Sequence, residues 1–120
     1  MGDYDWICAN ALRVFRLETT VDISCRLTFE EALEHNAIHG GTTLYKTDML
    51  REIGGMDESL RTAEEYDMHL KLMSLGYLPG YIDKIVYNYR VWDKQKSKIH
   101  RFLKPEWRKA QHEMIKDRYR

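Results

Sequence analysis

At 120 residues and 14.4 kDa the chain is long enough for one domain with a buried core and too short for two ordinary ones. Apolar residues make up 43%, charged residues 32% and aromatics 12%, which argues against a chain that stays unfolded, and no apolar run nears the ~18 residues of a membrane-spanning helix. The formal net charge of +0 hides an asymmetry: residues 94–120 carry a net +7 and residues 1–93 a net −7, an acidic body with a basic tail.

The first residues, Met1-Gly2-Asp3-Tyr4-Asp5-Trp6, lack the basic region and apolar core of a signal peptide, so a cytoplasmic location is expected. Cys8 and Cys25 are too few for a disulfide scaffold or a zinc cage and read as free thiols in a reducing compartment. Asp3 and Asp5 have a D-x-D spacing that can hold Mg²⁺ or Mn²⁺ through oxygen, although such a triplet is common by chance.

Trp6–Ala9 and Ala11–Leu17 read as one or two strands, and Val21–Cys25 as another. Thr28-Phe29-Glu30-Glu31 is a capping box that opens a helix to about His35. His39-Gly40-Gly41-Thr42 is a turn in which paired glycines let the backbone approach a ligand closely, and Thr42–Tyr45 is β-prone. Thr47 or Asp48 is the expected cap of a helix over Met49–Ile53, closed by Gly54-Gly55, and Asp57–Leu60 reads as a turn.

The strongest helical pattern runs from Ala63 to Leu75. Tyr66, Leu70 and Met73 form one apolar stripe, flanked by Met68, Leu72 and Leu75, and Gly76 ends the helix. Leu78–Ile82 reads as an edge strand because of Pro79, and Ile85–Trp92 as a further strand. The tail from Lys94 is basic and helical after Pro105. Such a tail suits nucleic acid or an anionic membrane surface, or it packs on the chain's own acidic body.

The densest carboxylate cluster, Glu64-Glu65-Tyr66-Asp67, falls on the first turn of that best helix. Acidic residues there offset the helix dipole. The same position also suits a general base, held by a rigid element within hydrogen-bond reach of a hydroxyl.

Residues His39 to Arg90 resemble the C-terminal, acceptor-side half of a family 2 glycosyltransferase catalytic domain, the inverting type with the GT-A fold. The resemblance runs through Gly40-Gly41-Thr42-Thr43-Leu44-Tyr45-Lys46, Leu50-Arg51-Glu52-Ile53-Gly54-Gly55-Met56-Asp57-Glu58-Ser59-Leu60, Ala63-Glu64-Glu65-Tyr66-Asp67 and Gly76-Tyr77, and closes on Tyr89-Arg90. It implies an α/β fold: a partial GT-A-like domain over residues 1–93, with a short mixed sheet and flanking helices, and a basic helical tail over residues 94–120. It implies that Glu65 is the base that deprotonates the acceptor, with Glu64 beside it. Glutamate stands at 65 where the family carries aspartate, one methylene longer. His39, Gly40, Gly41 and Thr42 fall on the donor or acceptor pocket wall, and Tyr89 and Arg90 in the region that reaches the donor phosphates. Val91-Trp92 stand where members often carry a histidine. The family's partners are a nucleotide-sugar and a saccharide or other hydroxyl acceptor, with Mn²⁺ or Mg²⁺ as cofactor. Its donor-binding half has no room before Trp6, so the resemblance implies a half domain, inactive alone, whose exposed sheet edge a second copy or another partner covers. The alternative is a non-catalytic saccharide- or partner-binding module derived from that fold.

Overall fold

The computed structural model describes residues 4–24, 28–91 and 105–120. They form a mixed α/β structure with a four-stranded sheet. Strand β1 (Trp6–Phe15) is central. On one edge it pairs in parallel with β4 (Gly80–Arg90), from Ile7 opposite Gly80 to Val14 opposite Arg90. Its other edge is shared end to end: β3 (Leu44–Tyr45) runs antiparallel to Trp6 and Ile7, and β2 (Glu18–Asp22) antiparallel to Ala11–Phe15.

Two strand predictions are corrected. Residues Trp6–Phe15 are one strand, and it turns back through Arg16-Leu17 into β2, which starts three residues before the expected Val21. That hairpin carries no Asn-Gly or Asp-Gly signal; Arg16 itself takes the left-handed conformation (φ 56°) that its tight turn needs. The two late strands are a single strand, β4, and Pro79 lies buried just before it. β4 crosses the Asp83-Lys84 region by a bulge. Cys8 faces Tyr81 and Asn10 faces Ile85, and the Asn10 side chain bridges the gap to Asp83 (3.1 Å). Trp92 and Cys25, the predicted ends of two strands, lie outside the described residues.

Four α-helices lie among the described residues. In α1 (Phe29–Glu34) the predicted capping box is present: Glu31 N donates to Thr28 Oγ1 and Thr28 N to Glu31 Oε1, both at 3.2 Å. Helix α2 (Thr47–Ile53) starts without the expected Thr47 or Asp48 cap. Its cap position is Lys46, whose N–H is held by the Asp5 carbonyl (3.0 Å), so β3 pairing rather than a side chain fixes where the helix begins. Gly54 ends it in the left-handed conformation (φ 84°), and Lys71 Nζ donates to the Ile53 carbonyl, a cation at a helix C-terminus.

Helix α3 (Glu64–Ser74) is the spine of the core, with Tyr66, Met68, Leu70, Leu72 and Met73 buried. Leu75, expected beside the stripe, is exposed because the chain has already left the helix there. Gly76 takes a left-handed conformation (φ 93°), and Tyr77 N–H then reaches back to the Leu72 carbonyl (2.9 Å). Trp6 and Cys8 from β1, Ala32 from α1, Met49 and Ile53 from α2, and Ile115 from α4 (Pro105–Asp117) close on this helix. Burial of this kind contributes about 1.5–3 kcal/mol per large side chain. No helix among the described residues is long and apolar enough to cross a membrane.

Candidate functional site

The His39–Thr42 turn is anchored to the sheet at both ends. His39 N–H donates to Ser24 Oγ (2.9 Å), and Ser24 N–H is itself held by Asn10 Oδ1 (3.1 Å). Thr42 Oγ1 accepts from Ala9 N–H (3.1 Å), the strand residue at the bulge, and donates to the His39 carbonyl (2.8 Å). Inside the turn, Gly41 N–H donates to His39 Nδ1 (3.2 Å), which places the ring proton on Nε2. Gly40–Thr42 thereby winds into one 3₁₀ turn rather than the β-prone entry that the sequence suggests.

Both glycines are required by close approach. A methyl group on Gly40 would lie 2.8 Å from Glu65 Oε1 and closer still to Oε2 and Cδ, so the Glu65 carboxylate fills the space a side chain at 40 would take. A methyl group on Gly41 would lie 2.7 Å from Cε1 of Tyr87. The turn is thus held between a carboxylate from α3 and an aromatic ring from β4. Gly40 and Glu65, 25 residues apart in sequence, are thereby brought into contact.

Glu65 is open to solvent on one side and pressed on the other against the glycine turn. This partial desolvation, with the charge of Glu64 next to it, raises its carboxyl above the ordinary glutamate range. The result is a more basic carboxylate on a rigid helix start. Beside it, His39 packs edge-on against Tyr89 (ring centroids 4.8 Å) and tilted against Tyr87 (5.6 Å). Burial lowers the His39 pKa, Asp22 opposes that and Arg13 adds to it. Arg13 and Asp22 pair across the β1–β2 hairpin at 2.9 Å. Tyr87 keeps 41% of its surface exposed.

Beneath the turn, Thr43 Oγ1 donates to the Gly40 carbonyl (2.6 Å), and the Tyr45 phenol meets His69 Nε2 at 2.6 Å. The His69 ring stacks on Trp6 (4.7 Å). Burial alone drives the His69 pKa down to about 3, so it is neutral, and among the described residues its Nδ1 has no hydrogen-bond partner. Burial, with the charge of Glu65 adding to it, pushes Tyr45 up to about 12 against the opposing effect of the Thr43 hydroxyl.

His39, Gly40, Gly41, Thr42, Glu65 and Tyr89 are therefore brought together, with Glu64 adjacent. Thr42 holds the turn to β1. Arg90 follows Tyr89 in a regular stretch of strand, so by the pleat it points to the opposite face from Tyr87 and Tyr89. Tyr45, His69, Arg13 and Asp22 were not singled out from sequence. The alternation that puts Arg13 opposite Tyr89 becomes readable only once the register is known.

Asp5 is engaged by Lys46 (3.2 Å) and lines a shallow cavity of about 420 Å³ with Thr47, Asp48, Met49, Glu52 and Tyr77. That cavity shares no residue with the glycine turn. Asp3 lies outside the described residues. Among the described residues no three His, Cys, Asp or Glu side chains converge as metal ligands. Compared with family models, curated proteins and solved structures, the chain finds no match.

Proposed function

We propose that this chain is the acceptor side of a glycosyltransferase-like protein with GT-A architecture, and that Glu65 is its base. The observation that carries this reading is the seating of the Glu65 carboxylate on Gly40, beside the aromatic wall of His39, Tyr87 and Tyr89. An acceptor sugar laid on an exposed tyrosine face gains stacking and apolar contact and can turn one hydroxyl toward the carboxylate. Glu65 then takes the hydroxyl proton as the oxygen bonds to the anomeric carbon of a nucleotide-sugar. The bond from that carbon to the leaving diphosphate breaks in the same step, and the configuration inverts.

The test incubates the purified protein with UDP- and GDP-sugars, Mn²⁺, saccharide acceptors and, supplied in trans, the donor-binding half of a family 2 glycosyltransferase, because the chain is expected to be inactive alone. The expected product forms only with that half present and has an inverted anomeric centre, and Glu65→Gln lowers the rate by about 10²–10⁴-fold, the usual contribution of a general base. Saccharide binding that is lost in Tyr87→Ala, without product in any mixture, supports the saccharide-binding module instead. Neither binding nor product overturns both.

A further inference from the structure

The first turn of α3 is tied to the C-terminus by a cluster to which the glycosyltransferase resemblance assigns no role. Arg118 Nη1 bridges two carboxylates, Asp57 Oδ2 at 2.9 Å and Asp67 Oδ1 at 3.1 Å. Tyr119 donates its phenol proton to the same Asp67 oxygen at 2.9 Å. The other oxygen of Asp57 organises its own turn, accepting from Ser59 N–H (2.9 Å) and Ser59 Oγ (2.6 Å). Asp67 exposes 5% of its side chain, so its carboxylate meets these partners rather than water. Next to them Ile115 is fully buried in the core, and Lys116 Nζ donates to the Glu34 carbonyl (3.1 Å).

The position of this cluster gives it its meaning. Asp57 begins the loop that leads into α3, and Asp67 lies two residues beyond Glu65 on the same turn. The helix has no side-chain N-cap, and it is entered through Ala63 in a left-handed conformation (φ 58°), which is strained for a residue with a Cβ. Arg118 joins the loop before that entry to the helix after it.

We propose that Arg118 is a positioning residue for Glu65: by bridging Asp57 and Asp67 it fixes the entry to α3 so that the Glu65 carboxylate is seated on the Gly40 turn. This rests on Glu65 being the functional carboxylate, but its test needs neither substrate nor turnover. Arg120 is the internal control, since it pairs with Glu113 and Asp117 on its own helix.

The experiment follows the side-chain carboxyl carbon of Glu65 by NMR through a pH titration of the full chain, below the unfolding temperature of every variant. With Arg118→Ala the Glu65 midpoint should fall toward the ordinary glutamate value, because the carboxylate leaves the turn and regains water. Arg118→Lys should recover part of the wild-type midpoint, and Arg120→Ala should leave it in place. A cluster that only stabilises the fold would lower the melting temperature of Arg118→Ala and leave the Glu65 midpoint unchanged in the folded protein, and that result overturns the proposal. If Arg118→Ala does not fold, Asp57→Asn removes one arm of the bridge and must move the midpoint in the same direction; an unmoved midpoint there overturns it equally. Failure of glycosyl transfer with a shifted midpoint would refute the enzymatic reading alone.

Discussion

Gly40→Ala separates the site from the fold. The φ of Gly40 lies outside the left-handed range, so alanine fits its backbone and, by narrowing the unfolded ensemble, should stabilise by about 0.4–1 kcal/mol. Against this stands the new methyl group, 2.8 Å from Glu65 Oε1 and nearer to Oε2 and Cδ. The three nearest atoms it meets are the far end of a side chain that opens to solvent, so the carboxylate swings away instead of the backbone moving. Leaving the turn also returns the carboxylate to water, which relieves its partial desolvation. The net change in stability should lie within about 1 kcal/mol of zero, a shift of only a few degrees in melting temperature for a domain of this size. Saccharide binding and any transfer should nevertheless fall as far as they do in Glu65→Gln. The assay pairs urea denaturation with the Glu65 carboxyl titration, whose midpoint should drop toward the ordinary value. A loss of 3 kcal/mol or more (~3 kcal/mol being the scale of a rigid core clash) would mean that residue 40 meets fixed structure, and the account of the turn would be wrong.

Three further expectations follow from the same structure. Glu65 is raised in the folded protein, so the stability it contributes is fully present below the unfolded pKa and is lost as pH rises through the folded one; Glu65→Gln should therefore be more stable than wild type at pH 7 and equal to it near pH 3 in denaturant melts. His69 is held neutral, with its pKa lowered from 6.5 to about 3, so its stability is present above pH 6.5 and lost as pH falls toward 3, at up to ~1.4 kcal/mol per pH unit. His69→Phe should flatten that part of the stability profile, and an unchanged slope would show that His69 is not the group responsible. Ala63→Gly should stabilise by about 0.5–1 kcal/mol, because relief of the left-handed alanine exceeds the entropy cost of glycine; a lower urea midpoint would contradict this.

Local chemistry was legible wherever one side chain or one glycine decided the outcome. The Thr28–Glu31 box, the glycine ends at Gly54 and Gly76, and the apolar stripe of Tyr66, Leu70 and Met73 all read directly from spacing. What failed depended on partners far away in sequence. The start of α2 is set by Asp5 holding Lys46, and the Arg16-Leu17 hairpin by strand pairing over residues 11–22. The site shows the same division. Residue type pointed to the Glu64-Glu65 cluster and to the Gly40-Gly41 turn, and only the family resemblance pointed to Glu65 within that cluster, but their contact needs the sheet to fix the turn and the C-terminus to fix the helix. His69 and Asp67 are polar residues on a buried helix face, and only their partners, Tyr45, Arg118 and Tyr119, explain them.

The most direct test of the central claim, that the glycine turn, Glu65 and the aromatic wall form a site for a sugar hydroxyl, is a heteronuclear NMR titration of the intact chain with a panel of saccharides. Resonances of Gly40, Gly41, Glu65, His39 and Tyr87 should move together and saturate with a single dissociation constant, and Gly40→Ala should abolish the response. Shifts that concentrate instead around Asp5, Lys46 and Glu52, or no saturable shift at millimolar saccharide, would contradict it.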